Sequence, residues 1–337
     1  MRASFLEKPN QISIKNTPKP EPKTGEVRIK LHQVGICGSD IHLFQGHRAV
    51  AYPLTIGHEG LGFIDTIGEG VEGRTIGERV VIEPNIPCGN CRYCLRGQAK
   101  ICIHKRTIGL TEAGCFAEYL TVPAAFAHTI PPSVTDADAV TIEPMSVAYH
   151  AINLSKTKVG DAIAVIGLGA IGLLVAHLAL RLGYKVFVTE INESKVKLIE
   201  NQGAIPVCPV GTIEEQTAIL SQTWFDNDVR AVFECAGTTI TTNMTAAAAP
   251  RGSNIILLGL SEKPAQFIPL KIVREGITII PSLICDHPVD FRNVIQLIAA
   301  KVIEPSFIVS QYIPLDDLQK GLEWASKGHE SKVVVTI

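Results

Sequence analysis

The stretch from Ala162 to Leu180 is apolar except for His177, and it is long enough to cross a bilayer. Its two halves differ in character, however. The front half is β-leaning, with Ile163, Val165 and Ile166, and Gly167, Gly169 and Gly172 interrupt the remainder. A strand, a glycine turn and a helix account for this change better than one continuous helix, and no second span accompanies it. Gly167-Leu168-Gly169-Ala170-Ile171-Gly172 therefore closes a strand and opens a helix. The first glycine permits a tight turn and the second lets backbone approach a pyrophosphate. The third allows close helix–strand packing, and the helix N-terminus faces the phosphates. A glycine triplet also serves plain turns, so the context decides. The next strand, Lys185–Thr189, is followed by Glu190, about twenty residues after the turn, where a ribose-binding acid is expected. Glu190 would accept hydrogen bonds from the adenine-ribose hydroxyls and repel a 2′-phosphate. Ile191 and Asn192 come next rather than an arginine, so NAD is preferred over NADP. Lys195 is placed either to reach the same ribose or to lie on a solvated helix face.

This βαβ signature extends along the chain. Apolar strands at Ala162–Ile166, Lys185–Thr189, Ala231–Cys235, Asn254–Leu258 and Thr278–Ile280 alternate with helix-length segments, the pattern of a parallel sheet. The first third is different: Glu26–Leu31, Phe63–Ile67, Val80–Ile82 and Phe116–Val122 are short alternating runs among Gly and Pro, as in an irregular β domain. Val289–Ala300 and Leu315–Ala325 read as helices and Lys332–Ile337 as a last strand, with 138–158 as the hinge. A chain of 337 residues, 46% of them hydrophobic, suits two folded domains and excludes disorder.

Nine cysteines exclude complete disulfide pairing, and the chain is far longer than the small scaffolds that depend on disulfides. Cys88, Cys91 and Cys94 stand at two-residue gaps and Cys102 lies on the same loop, a set that closes a tetrahedral zinc site with no open position. The role would be structural; His104 is the alternative fourth ligand. A nucleic-acid zinc module is disfavoured, because 31 Lys+Arg against 33 Asp+Glu leaves a net charge of -2 and no recognition helix is basic. Neither nucleic acid nor membrane is an expected partner. Charges and Pro9 break the N-terminus before any apolar signal region, so a soluble cytoplasmic protein is expected.

A second constellation is dispersed: Cys37, Ser39, Asp40 and His42 in one segment, His58-Glu59 in another, and Glu143-Pro144 in a third. Taken singly, each has an ordinary reading as a buried thiol, a loop histidine or a solvated acid. Together, a Cys, a His and a carboxylate can bind zinc and leave a place for water or substrate.

With the Cys37 segment, Gly57-His58-Glu59-Gly60, the cysteine lobe and the glycine turn in this order, the chain resembles the zinc-containing medium-chain dehydrogenase/reductase family over essentially its whole length. Glu143-Pro144-Met145-Ser146-Val147 is similar to the sorbitol, polyol and sugar-acid branch, where ethanol-type members carry a third zinc cysteine. The resemblance implies an α/β architecture: a GroES-like β-rich catalytic domain (1–145 and 281–337) and an inserted Rossmann doubly wound parallel sheet (146–280). It implies two zinc ions per chain, one catalytic and one structural, and a homodimer or homotetramer. The catalytic zinc would be held by Cys37, His58 and Glu59, with Glu143 bound directly or through water. Asp40 would orient His58, and Ser39 and His42 would relay the alcohol proton, helped by water on Glu59 or Glu143. The implied reaction passes a hydride from a secondary alcohol, polyol or sugar acid to NAD. The competing expectation is a non-catalytic zinc-binding scaffold of the same fold. Arg48 is placed either to clamp an anionic substrate or simply on the surface. Cys115, Cys208, Cys235 and Cys285 are left for buried, small-hydrophobe roles.

Overall fold

Alternating burial along Glu26–Gly35, with Val27, Ile29, Leu31 and Val34 sealed from solvent, gives the first unit its central strand. The computed structural model describes residues 1–328 and 330–337. In chain order its strands are β1 (Arg2–Lys8), β2 (Gln11–Asn16), β3 (Glu26–Gly35), β4 (Glu59–Ile67), β5 (Arg79–Ile82), β6 (Asn85–Ile86), β7 (Arg106–Thr107), β8 (Tyr119–Pro123) and β9 (Ala127–Thr129). Next come β10 (Ala162–Ile166), β11 (Lys185–Thr189), β12 (Ile205–Pro206), β13 (Val229–Glu234), β14 (Asn254–Leu257) and β15 (Thr278–Pro281). The chain ends with β16 (Val309–Pro314) and β17 (Lys332–Thr336).

Two compact units result, residues 1–143 with 286–337, and residues 144–285. In the first, β3 is long enough to serve three antiparallel partners: β4 along its length, β8 at its start and β17 at its end. The sheet runs β16-β17-β3-β4-β5-β9, with β8 on the flank of β3. Its core joins Val27, Ile29, Ile64, Val80, Phe116 and Val335. Here the expected strand Phe116–Val122 is corrected to Tyr119–Pro123. The Phe116 backbone is diverted, its N–H donating to Ile56 and its carbonyl accepting from Ser4. The helix expected over Leu315–Ala325 is split into a 3₁₀ turn (Leu315–Asp317) and an α-helix (Leu318–Ser326). The stretch expected as a hinge contains a helix, Ile142–Leu154, and the division between the units falls inside it.

The second unit is a six-stranded parallel sheet in the order β12-β11-β10-β13-β14-β15, the doubly wound arrangement whose crevice lies where strand order reverses, beside β10. Every residue of β10 is buried, which is why its sequence reads as continuously apolar. The apolar run divides as strand, turn and helix Ala170–Arg181, and no helix among the described residues is long and apolar enough to cross a membrane. His177 is accommodated inside by a 2.6 Å hydrogen bond to Gln202. Of the four leftover cysteines, Cys115 and Cys285 are buried and Cys235 is half-buried, but Cys208 is exposed. The buried role expected for Cys208 is thus corrected: it lies just past the short β12, where that strand leaves the sheet.

Candidate active site

In the first unit, Cys37 caps the N-terminus of the helix Gly38–Phe44 in an extended conformation. The buried Asp40 carboxylate accepts from the Cys37 N–H at 2.9 Å and, through its other oxygen, from the Gly57 N–H at 3.1 Å. One side chain thereby ties the Cys37 turn to the His58 loop. Gly57 has φ +92, and a Cβ there would meet the Phe116 ring at 2.7 Å, so only glycine allows this approach. Asp40 Oδ1 lies 3.5 Å from His58 Nδ1, and that buried nitrogen has no hydrogen-bond partner among the described residues.

Glu59 opens β4 opposite Gly35 of β3. A Cβ at Gly35 would lie 2.0 Å from a Glu59 carboxylate oxygen, so the absent side chain makes the carboxylate's room. Both Glu59 oxygens accept from Lys332 Nζ, at 2.7 Å each, and the third ammonium proton goes to the Ile36 carbonyl at 3.1 Å. Lys332 and Glu59 are both sealed from solvent. Burial alone would lower the Lys332 pKa, but the charges of Glu59 and Cys37 outweigh it and raise the value. The same contest raises His58 well above its ordinary value: burial opposes protonation, while Asp40 and Cys37 favour it. Sequence reasoning misses Lys332, although a lysine opening an otherwise apolar strand is the signal that a buried partner exists.

Donor atoms of Cys37, His58 and Glu59 all lie within 4.8 Å of one another. A thiol, a carboxylate and an imidazole nitrogen form the S, O, N donor set that zinc takes, with a fourth position left over. The residues present therefore fit the metal. Glu143, on the helix Ile142–Leu154, is outside this close group. Its carboxyl is pushed up to about 7, first by burial and then by the charges of Glu59 and Asp40, against the pull of His58 and Lys332. Ser39 is half-buried and His42 exposed, three residues apart on the Gly38–Phe44 helix, which puts them on one face. Arg48 is exposed.

The cysteine lobe hangs from the antiparallel pair β6–β7. Its sulfur separations are 3.5 Å (Cys91–Cys94 and Cys88–Cys102), 3.8 Å (Cys91–Cys102) and 4.0 Å (Cys88–Cys94). Zn–S bonds of about 2.3 Å in a tetrahedron require about 3.8 Å between sulfurs, so four thiolates fit a closed zinc site. His104 is exposed and outside the group; the alternative ligand set is not assembled.

In the second unit, the glycine turn has three distinct reasons for its glycines. Gly167 has φ +87, and a Cβ would strike Ala236 at 2.7 Å; a Cβ at Gly172 would lie 1.9 Å from the Gly167 carbonyl oxygen. A Cβ at Gly169 would meet nothing within 4 Å, leaving open space at the N-cap of the helix Ala170–Arg181. Leu168, Ala170 and Ile171 complete the turn. The Leu168 N–H donates to Glu190 Oε2 at 2.6 Å, while Glu190 Oε1 accepts from Ile191 and Asn192. Glu190 thus braces the turn, and Oε2, with a single donor, retains capacity for one more. Lys195 is buried, which removes the solvated-face alternative. A residue that sequence reasoning misses is Glu234, fully buried at the end of β13. It accepts from Ala236 N–H (3.1 Å), Gly237 N–H (3.0 Å) and Thr241 Oγ1 (2.8 Å), shaping the loop that touches Gly167. Its signal is an acid that follows the apolar run Ala231-Val232-Phe233.

Comparison with known proteins agrees with both units. Residues 23–132 match the alcohol dehydrogenase GroES-like domain and residues 170–300 the zinc-binding dehydrogenase domain. A sorbitol dehydrogenase of Halalkalibacterium halodurans is 30% identical over 328 residues, 96% of this chain and 95% of that protein. An alcohol dehydrogenase of Escherichia coli CFT073 solved with NADH superposes with a TM-score of 0.92 at 29% identity, covering 100% of this chain and 99% of that one. A zinc-binding dehydrogenase of Sinorhizobium meliloti 1021 bound to NADP does so with a TM-score of 0.92 at 31% identity, again covering 100% and 99%.

Proposed function

The chain belongs to the zinc-containing medium-chain dehydrogenase/reductase family, and from that premise we propose that it oxidises a secondary alcohol of the polyol or sugar-acid class with NAD⁺. It is a zinc-dependent, nicotinamide-linked oxidoreductase. The observation that carries the finer reading is the meeting of Cys37 with His58 and Glu59 of a separate segment. These three residues would hold the catalytic ion, and Cys88, Cys91, Cys94 and Cys102 a structural one. When bound, zinc supplies Lewis-acid polarisation of the substrate hydroxyl, and the nicotinamide supplies the hydride acceptor. Asp40 holds the Cys37 and Gly57 backbones in place. Ser39 and His42 lead the alcohol proton toward solvent, so that alcohol and NAD⁺ yield ketone, NADH and one proton. Glu143 would help to hold the catalytic ion, directly or through water. The Gly167 turn receives the pyrophosphate and Glu190 the adenine-ribose hydroxyls, with Lys195 beside them.

Zinc-replete protein is expected to contain two zinc ions per chain and to reduce NAD⁺ with at least one member of a panel of polyols, aldonates and uronates. No NADH formation with any of them at full zinc occupancy would overturn the substrate class.

The preference for NAD rests on Glu190. Replacing Glu190 with serine removes a charged acceptor worth about 1.5–3 kcal/mol, and is expected to raise KM for NAD about tenfold or more while improving use of NADP. The check is the NAD/NADP ratio of kcat/KM. A ratio unchanged within about twofold would sink the assignment.

A further inference from the structure

Away from the residues described above, Glu83 at the end of β5 is buried and receives two imidazoles. His128 Nε2 and His287 Nδ1 each lie 2.7 Å from the same oxygen, Glu83 Oε2. His128 stacks on Phe291 with ring centroids 4.8 Å apart, and His287 stacks on Phe126 at 4.3 Å. Both rings are therefore fixed in place. A metal held by these three side chains would need N···O separations of about 3.3 Å; 2.7 Å is hydrogen-bond length. Burial would raise the Glu83 carboxyl, but the two imidazoles outweigh it and hold the carboxyl below its ordinary value. An ionised carboxylate only accepts, so both imidazoles donate N–H to it. The second nitrogen of each ring is left for another partner.

The two rings form part of the wall of a cavity of about 440 Å³, together with Arg74, Thr129, Arg292 and Gln296. That volume is in the range of small-ligand sites. Among the described residues the lining contains two arginines and no carboxylate. Glu83 lies behind the histidines, and Glu78, 3.4 Å from Arg74, is also outside the lining. Arg74 is anchored through Nη2 to the Ala127 carbonyl at 2.7 Å, while its buried Nε has no hydrogen-bond partner among the described residues. Arg292 is exposed at the rim, on the helix Val289–Ala299. Guanidinium groups and oriented imidazoles are the donors that recognise carboxylate and phosphate oxygens.

We propose that this cavity is a binding site for a small organic anion, a phosphate monoester or a carboxylate, held by Arg74, His128, His287 and Arg292. The test uses zinc-replete protein saturated with NADH, so that the glycine turn cannot supply the signal. Inorganic phosphate and succinate are titrated separately by calorimetry, and whichever binds more tightly identifies the preferred anion. At least one is expected to bind saturably, with Kd raised tenfold or more in Arg292→Ala and in His287→Gln. Unliganded melting temperatures of the two variants separate lost binding from lost fold. Absence of saturable binding by both anions, or midpoints unchanged in both variants, would overturn the proposal. So would a third zinc per chain that disappears in His287→Gln, which would make the cluster a metal site.

Discussion

Replacing Cys37 with serine is expected to lower turnover about 10³-fold or more and to reduce the zinc content from two per chain to one. Zinc takes cysteine as a thiolate, whereas a serine hydroxyl stays neutral near pH 7, so the substitution removes a charged ligand while preserving size. Lewis-acid stabilisation of developing negative charge is worth several kcal/mol, and each 1.36 kcal/mol is tenfold in rate. The backbone of residue 37 still donates to Asp40, so the turn before the helix should persist. NADH binding, followed by its fluorescence, should be unchanged, because the Gly167 turn and Glu190 belong to the other compact unit. Loss of activity with both zinc ions retained would point to a role other than metal ligation. Full turnover in the variant would remove Cys37 from the site altogether.

The second large effect is on stability. In zinc-free protein, Lys332→Met leaves Glu59 buried with neither oxygen paired to a cation, and the Ile36 carbonyl also loses its donor. Breaking one side of a buried ion pair costs about 3–5 kcal/mol, which for a unit of this size lowers Tm by roughly 6–20 °C. The double variant Lys332→Met with Glu59→Gln should recover much of that loss, because the uncompensated charge is gone. Thermal unfolding of the three proteins side by side makes the comparison. A single-variant shift under about 2 °C would show that the pair contributes nothing to holding β17 against β3. The rescue separates charge from packing: if the double variant is no better than the single, the lysine stem rather than its ammonium is what matters.

How much is legible before folding depends on how local each feature is. The glycine turn is legible because its three glycines stand close together between an apolar strand and a helix-length run, and Glu190 follows the next strand at the expected distance. The cysteine lobe is legible because all four thiols come from a single loop. Cys37 and His58-Glu59 are harder: they meet only through Asp40 and the β3–β4 pairing, so their spacing alone leaves ordinary readings open, and only resemblance to a family groups them. Lys332 escapes sequence reasoning because its partner lies 273 residues away and no period-two pattern announces a cross-strand ion pair. Glu83, His128 and His287 escape it for the same reason. Cys208 and Phe116 err in the opposite direction, since local apolar context suggests burial or strand where sheet ends and diverted backbone decide.

Strand β17 also sets a schedule. The segment carrying Cys37, His58 and Glu59 leaves the ribosome early, but the lysine that neutralises Glu59 is made 273 residues later. At about 5–20 residues per second, that is a wait of roughly 15–55 s. During it the parallel sheet of residues 144–285 is completed, while β3 lacks one of its three partners and a carboxylate destined for the interior has no counter-charge. The metal-binding unit is thus begun before the parallel-sheet unit and finished after it. A nascent chain released before Lys332 would leave a thiol, an imidazole and an unneutralised acid open to whatever cation arrives.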